Sequence, residues 1–420
     1  MGKRERPRRR AAAAAGVTLA VTVLAACGGG GSSGAKPSGT WAEPSRAASG
    51  RPSRPAFDPP VRFDGPTVEL TDAQQPSTTS GEALRPALTL ADGVAYITTE
   101  GGLEAIDTGT GDARWNVETK HPADPGGFGS KRVAPWVSAD GRTAYAAFGR
   151  EVEGEGTAPD RSVIEVLAVE TATGRTAWSA EIPSAPSSTG LAAVAIGADE
   201  NLAPQVVGVD AGTAVVTEAD TTYAVDPATG AVRWKKADFR ALTFADGVVA
   251  GGEETGYAEG RLLGVAADTG RQRWTEPDVR QPDSVGVRWL SGNLDDRTVV
   301  VDAVSGSTRA SFEGRDWRCL DDERSLMECS KYGYRAADRG IVVFDATSAQ
   351  QKWVLHARSG RVIPKVTGFW HGALYGEVGE EPVVLDGNTG KDRQTSAGAA
   401  PYEIDRYGGV EGTSFHRATR

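Results

Sequence analysis

From about residue 85 to the end of the chain, apolar and polar positions alternate in short runs broken by Asp-Gly, Gly-Gly and Thr-Gly pairs. Runs with period two between turn residues predict β-strands joined by hairpins. The stretch "ALTLADGVAYITTEGGLEAIDTGTGDARW" predicts strands at about 87–90, 94–99, 103–107 and 112–117, with "ADG" and "EGG" as turns. The first hairpin recurs in "SADGRTAYAAF" near 138–148 and in "FADGVVAGG" near 244–252. With 53 glycines and 23 prolines in 420 residues, long helices are not expected.

One phrase organises the whole stretch. "AIDTGTGDARW" ending at Trp115, "AVETATGRTAW" at Trp178, "AVDPATGAVRW" at Trp234 and "GVAADTGRQRW" at Trp274 align without gaps. Their glycines are Gly111, Gly174, Gly230 and Gly270, and Asp107 and Asp226 mark the turn start in the first and third. Weaker copies follow. "VVDAVSGSTRA" has Asp302 and Gly306 but Ala310 for tryptophan, and "VFDATSAQQKW" has Asp345 and Trp353 but Ala349 for glycine. "VLDGNTGKDRQ" keeps Asp386 and Gly390, and the terminal "FHRATR" looks like the phrase cut short. The apolar residues before Asp read as a strand. Asp and Thr then bond backbone N–H groups to start a turn, and glycine supplies its positive φ. The tryptophan falls on the returning strand, where a neighbouring unit must cover it.

The glycine positions are separated by 63, 56, 40, 36, 43, 41 and 30 residues. Most intervals fit a four-stranded propeller blade of about 40–45 residues. The expected fold is therefore all-β, a β-propeller of four-stranded antiparallel blades, eight in number with seven left open. Because the last copy ends with the chain, its outer strand is missing. The segment "VRFDGPTVEL" at 61–70 is expected to supply it and close the ring.

The phrase resembles the repeat of the pyrroloquinoline-quinone-like (PQQ-like) propeller superfamily over residues 85–420. Two branches share that repeat. One holds quinoprotein dehydrogenases, which bind the quinone and calcium in the central channel. The other holds non-catalytic envelope lipoproteins similar to the outer-membrane protein assembly factor B type, which act as docking platforms. The resemblance favours the second branch, since the dehydrogenases generally carry two adjacent cysteines that this chain lacks.

The first residues change the picture of where the protein works. "MGKRERPRRR" is basic, and a 16-residue apolar run follows, short for a membrane span but right for a signal peptide. Leu24-Ala25-Ala26-Cys27 resembles the bacterial lipobox, which implies a lipid on the Cys27 thiol and a new N-terminus there. The expected organisation is a signal peptide at 1–26, a Gly/Ser/Pro-rich tether at 27–60 and the propeller at 61–420. The protein is expected on the extracytoplasmic face of a bacterial cell membrane, anchored through Cys27, with the export route open. Net charge is −10, and since the basic N-terminus offsets part of it, the body is more acidic still. Nucleic acid is thereby a poor partner, and envelope proteins are the expected ones.

Cys319 and Cys329 flank "LDDERSLME", a polar centre between short apolar ends. In an oxidising compartment this spacing reads as a disulfide across a hairpin. A metal pair lacks nearby histidine, and a redox dithiol normally has closer spacing. No nucleophile–base arrangement, phosphate loop or zinc motif is present, so no catalytic residue, metal or cofactor is expected. The repeat aspartates read as turn caps, the "DDER" run as a surface patch, and the repeat tryptophans as packing between blades. Trp370, in the predicted turn "GFWHGALYG", reads as part of a buried satellite cluster or as an exposed contact for a partner. His121 and His356 read as ordinary polar positions. A non-catalytic scaffold is the leading reading, with a quinone-dependent oxidoreductase or a small-ligand or sugar sensor as alternatives.

Overall fold

The computed structural model describes residues 54–75, 85–123, 132–184, 203–210, 212–256, 259–333, 335 and 338–420. Residues 1–53, which hold the expected signal peptide, Cys27 and most of the expected tether, lie outside the described residues. Eight four-stranded antiparallel sheets make an eight-bladed β-propeller. The blades span 88–118, 136–183, 205–236, 240–277, 279–313, 318–356, 365–394 and, for the eighth, 403–417. Their innermost strands contact one another around a closed circle.

The eighth blade takes its outermost strand from the other end of the chain. Thr67–Glu69 pairs antiparallel with Ser414–Arg417, so the segment expected to close the ring does so. The seam to blade 1 is stitched further. The Gly93 N–H donates to Asp405 Oδ2 at 2.6 Å, and Leu90 N–H to Glu403 Oε1 at 3.3 Å.

Burial explains the strand composition. The second strand of blade 1, Val94–Thr98, is buried at every position because adjacent blades cover both its faces. The outermost strand, Ala113–Glu118, alternates exposed and half-buried residues, as a charged edge should. Eight buried apolar clusters form, one at each interface between blades. Each large side chain enclosed there, such as Leu103 or Tyr223, contributes about 1.5–3 kcal/mol.

The repeat tryptophans link successive blades. The indole N–H of Trp115 donates to Thr171 O at 2.8 Å, Trp234 to Ala267 O at 2.7 Å, Trp274 to Ala303 O at 3.0 Å and Trp353 to Gly387 O at 2.7 Å. Each acceptor belongs to the turn of the following blade. The ring also lies on that turn's glycine. A Cβ at Gly174, Gly270, Gly306 or Gly390 would meet Trp115, Trp234, Trp274 or Trp353 at 2.5, 3.1, 2.6 or 2.9 Å. Trp178 packs between blades 2 and 3 beside Tyr145, while Gly230 faces Ala180.

Three interfaces lack a docking tryptophan, and other groups fill them; between blades 8 and 1, Val68 lies over Gly111 beside Leu70 and Phe415. Between blades 5 and 6, Ala310 is joined by Phe312, Trp317 and the Cys319–Cys329 disulfide. Between blades 7 and 8, where Gln394 ends the phrase, Phe63 from the N-terminal segment packs edge-on against Tyr375 beside Trp370.

Candidate functional site

The repeat carboxylates are held in place by their own hairpins. Asp226 accepts the Ala228 and Thr229 N–H groups at 2.8 and 3.1 Å, and Asp386 accepts Asn388 and Thr389 at 3.1 and 2.9 Å. Asp302 accepts Val304 and Ser305, Asp345 accepts Thr347 and Ser348, and Asp107 accepts Gly109. The glycine that follows has φ between 67° and 79° at positions 111, 174, 230, 270, 306 and 390.

A second partner was not recognised in the sequence. In seven blades the outermost strand carries a one-residue bulge directly before the tryptophan position. The extra residue is basic in six: Arg114, Arg233, Arg273, Arg309, Lys352 and Arg393. A bulge re-aims its side chain, and five of these six meet the turn aspartate seven residues upstream. The distances are 2.8 Å for Arg114–Asp107, 2.5 Å for Arg233–Asp226, 3.6 Å for Arg309–Asp302, 3.5 Å for Lys352–Asp345 and 2.7 Å for Arg393–Asp386. The Arg233 guanidinium and the turn N–H groups hold the Asp226 carboxyl down at about 2. The signal was present in the sequence, as a basic residue just before the tryptophan position.

Cys319 and Cys329 are directly opposed across the first two strands of blade 6, Cα atoms 4.0 Å apart, and are disulfide-bonded. Trp370 is only 8% exposed and its ring stacks on His371 at 3.5 Å, so it offers no free aromatic surface. His121 pairs with Glu181 at 3.0 Å, and His356 Nδ1 accepts the Arg358 N–H at 3.1 Å.

Another set of carboxyls has the opposite character. The turns joining innermost to second strands form one rim of the channel, and acidic groups of blades 6 and 8 meet there. Asp322, read from sequence as part of a surface patch, is buried and caps its turn by accepting Arg324, Ser325 and Leu326 N–H. Burial, reinforced by Glu323 and Asp322, pushes Asp321 up to about 6. Burial likewise pushes Glu403 up to about 7, with Glu323 and Asp405 adding to the effect. Glu323 is also raised, although its side chain reaches solvent, because protein surrounds most of it. His371 partly draws it back.

The residues just before the propeller lie along this rim. Arg54 donates to Asp107 Oδ1 at 2.5 Å and to Thr108 Oγ1 at 3.2 Å, both in blade 1. Phe57 N–H donates to Arg406 O at 2.8 Å in blade 8. Asp58 lies 2.5 Å from His371 Nδ1 in blade 7 and also pairs with Arg324 in blade 6.

The calcium implied by the dehydrogenase branch finds no ready set of acidic ligands among the described residues. Calcium needs several convergent oxygen ligands, and among the described residues no three His, Cys, Asp or Glu side chains gather as a metal would require. The rim carboxyls Asp321 and Glu403 are moreover held toward their neutral forms.

Residues 74–199 and 165–313 match the family described as outer membrane protein assembly factor BamB. The chain belongs to that family. Among solved structures, this BamB-family propeller is similar to BamB from Moraxella catarrhalis, with 14% identity over 84% of this chain and 95% of that one and a TM-score of 0.43. It is also similar to a europium-containing methanol dehydrogenase, with 10% identity, 79% of each chain covered and a TM-score of 0.43. Dihydro-heme d1 dehydrogenase NirN gives 14% identity over 88% of this chain and 76% of that one, again at 0.43. At these identities and scores the likenesses carry no argument about activity. No curated protein matches the chain.

Proposed function

We propose that this BamB-family propeller is an extracytoplasmic lipoprotein, anchored to a bacterial cell membrane through Cys27, that serves as a non-catalytic scaffold for envelope proteins. One observation carries the non-catalytic part. Asp107, Asp226, Asp302, Asp345 and Asp386 are each bonded within their own hairpin and paired with a basic residue, which removes them from proton transfer or ligand binding. Family membership and the lipobox-like Leu24-Ala25-Ala26-Cys27 support the envelope setting.

Metabolic labelling with a lipid precursor in a bacterial host tests the anchor. The intact protein is expected to take up label and sediment with membranes, and Cys27→Ser to lose both; label on the variant would overturn the anchor. Titration of the purified protein with the quinone and calcium tests the scaffold reading. No spectral change is expected, whereas tight calcium-dependent binding with oxidation of an alcohol would establish an oxidoreductase instead.

A further inference from the structure

We propose that residues 54–60 form a pH-dependent clasp along the turn-side rim of the channel, closed when His371 is charged and loosened when it is neutral. This inference does not depend on the scaffold reading. The segment touches four blades within seven residues. It starts at blade 1 with the Arg54–Asp107 pair, and the same guanidinium lies 5.6 Å from the Tyr407 ring. It passes blade 8 at Arg406 and blades 7 and 6 at Asp58, then returns to blade 7, where the Tyr375 hydroxyl donates to Pro60 O at 2.8 Å. Both ends are firm, since Arg54 pairs with a nearly buried Asp107 and Phe63 is a core residue. The middle is held by the Phe57–Arg406 backbone bond and by Asp58 alone.

His371 is rigidly placed for this contact. It occupies a left-handed turn position with φ 47°, its ring is stacked on Trp370, and its N–H donates to Asp322 O at 2.9 Å. The charged groups around it are few. Asp58 faces it from the strap, Arg324, Glu323 and Asp322 belong to the turn of blade 6, and Glu403 of blade 8 acts on Glu323. Imidazole side chains change charge in the range where cells and their surroundings vary in acidity. As pH rises, Asp58 loses a cationic neighbour while Glu323 and Glu403 become anionic, because both are raised above the ordinary carboxylate range. Asp58 itself is held low by His371 and Arg324 against a burial effect that would raise it, so it remains anionic throughout. Above the imidazole range, Arg324 is the only cation left to it in this group. The middle of the strap then loosens, and the carboxyls of the rim become accessible.

Amide hydrogen exchange at Phe57 in the full chain, corrected for intrinsic rates, reads the clasp directly. Protection is expected to fall about fivefold from pH 5 to pH 8, the scale of one well-formed ion pair. His371→Asn, which suits the left-handed backbone, is expected to exchange at the wild-type pH 8 level at both values. Should that variant misfold, Asp58→Asn on the strap, which loses the Arg324 pair as well, is expected to show no fall between the two pH values and protection no higher than the wild-type pH 8 level. Equal wild-type protection at the two pH values, or an undiminished drop in either variant, overturns the proposal.

Discussion

Ala310 and Ala349 depart from the repeat in sequence positions 39 apart, and they read as two unrelated lapses. In the ring they are partners. Trp115, Trp234, Trp274 and Trp353 each lie on the glycine of the next blade's turn. By the same register, Ala310 of blade 5 takes the tryptophan position over the turn that contains Ala349. Without an indole above it, a methyl group is accommodated there, although the backbone still adopts φ 57°. The left-handed conformation costs an L-residue about 1–2 kcal/mol, and glycine's greater freedom in the unfolded chain cancels part of any gain. Ala349→Gly is therefore expected to stabilise the protein by about 0.5–1 kcal/mol in a denaturant titration. Gly174→Ala is expected to destabilise it by about 2–3 kcal/mol, since its Cβ would lie 2.5 Å from Trp115 Cβ with φ at 70°.

The strand at Thr67–Glu69 has only three residues, yet it completes blade 8. Its neighbours carry the anchorage. Phe63 is 1% exposed between blades 7 and 8, and Leu70 is 6% exposed between blades 8 and 1. Truncation to residue 80 removes both and leaves the edge of Ser414–Arg417 unpaired. Losing two such side chains costs roughly 3 kcal/mol each, so a clearly lower melting temperature is expected in thermal denaturation followed by circular dichroism. An unchanged melting temperature would mean that the ring does not depend on this strand. The turn caps show how legible the hairpins were. Asp, Thr and Gly could be assigned because their bonds span a few residues, whereas the bulge that turns Arg233 onto Asp226 depends on pairing with the neighbouring strand.

Among the described residues, the carboxyls displaced from their ordinary values fall into two classes that respond to pH in opposite directions. Asp226 and Glu181 are held down at about 2 by side-chain hydrogen bonds, from Arg233 for the first and from Lys120 and His121 for the second. Their contribution is present above the unfolded value and is lost as pH falls toward 2. Asp321 and Glu403, raised to about 6 and about 7 by burial, act the other way. The folded state keeps their protons where the unfolded chain has released them, so stability declines as pH rises through 6 and 7. Glu328, fully buried with Oε2 lacking a hydrogen-bond partner, is raised as well and adds to the decline. Melting temperature is expected to peak in the mildly acidic range, at about pH 4–5, and to drop on both sides. A steady rise from pH 4 to pH 8 would contradict the assignment of the rim carboxyls.

The spacing of the Asp/Thr/Gly/Trp phrase was enough to specify four-stranded units, their approximate number and the segment that closes the circle. Each of those features is encoded within a single hairpin or by a count of hairpins. The rim was not legible in the same way. Asp321 and Glu323 stand about 80 residues from Glu403 and more than 260 from Asp58, and no local period relates them. They come together because closing eight twisted sheets into a ring brings the turns of blades 6, 7 and 8 to one edge of the channel and lays residues 54–60 across them. Folding decides such convergence because it depends on the angle between sheets, which no short stretch of chain contains.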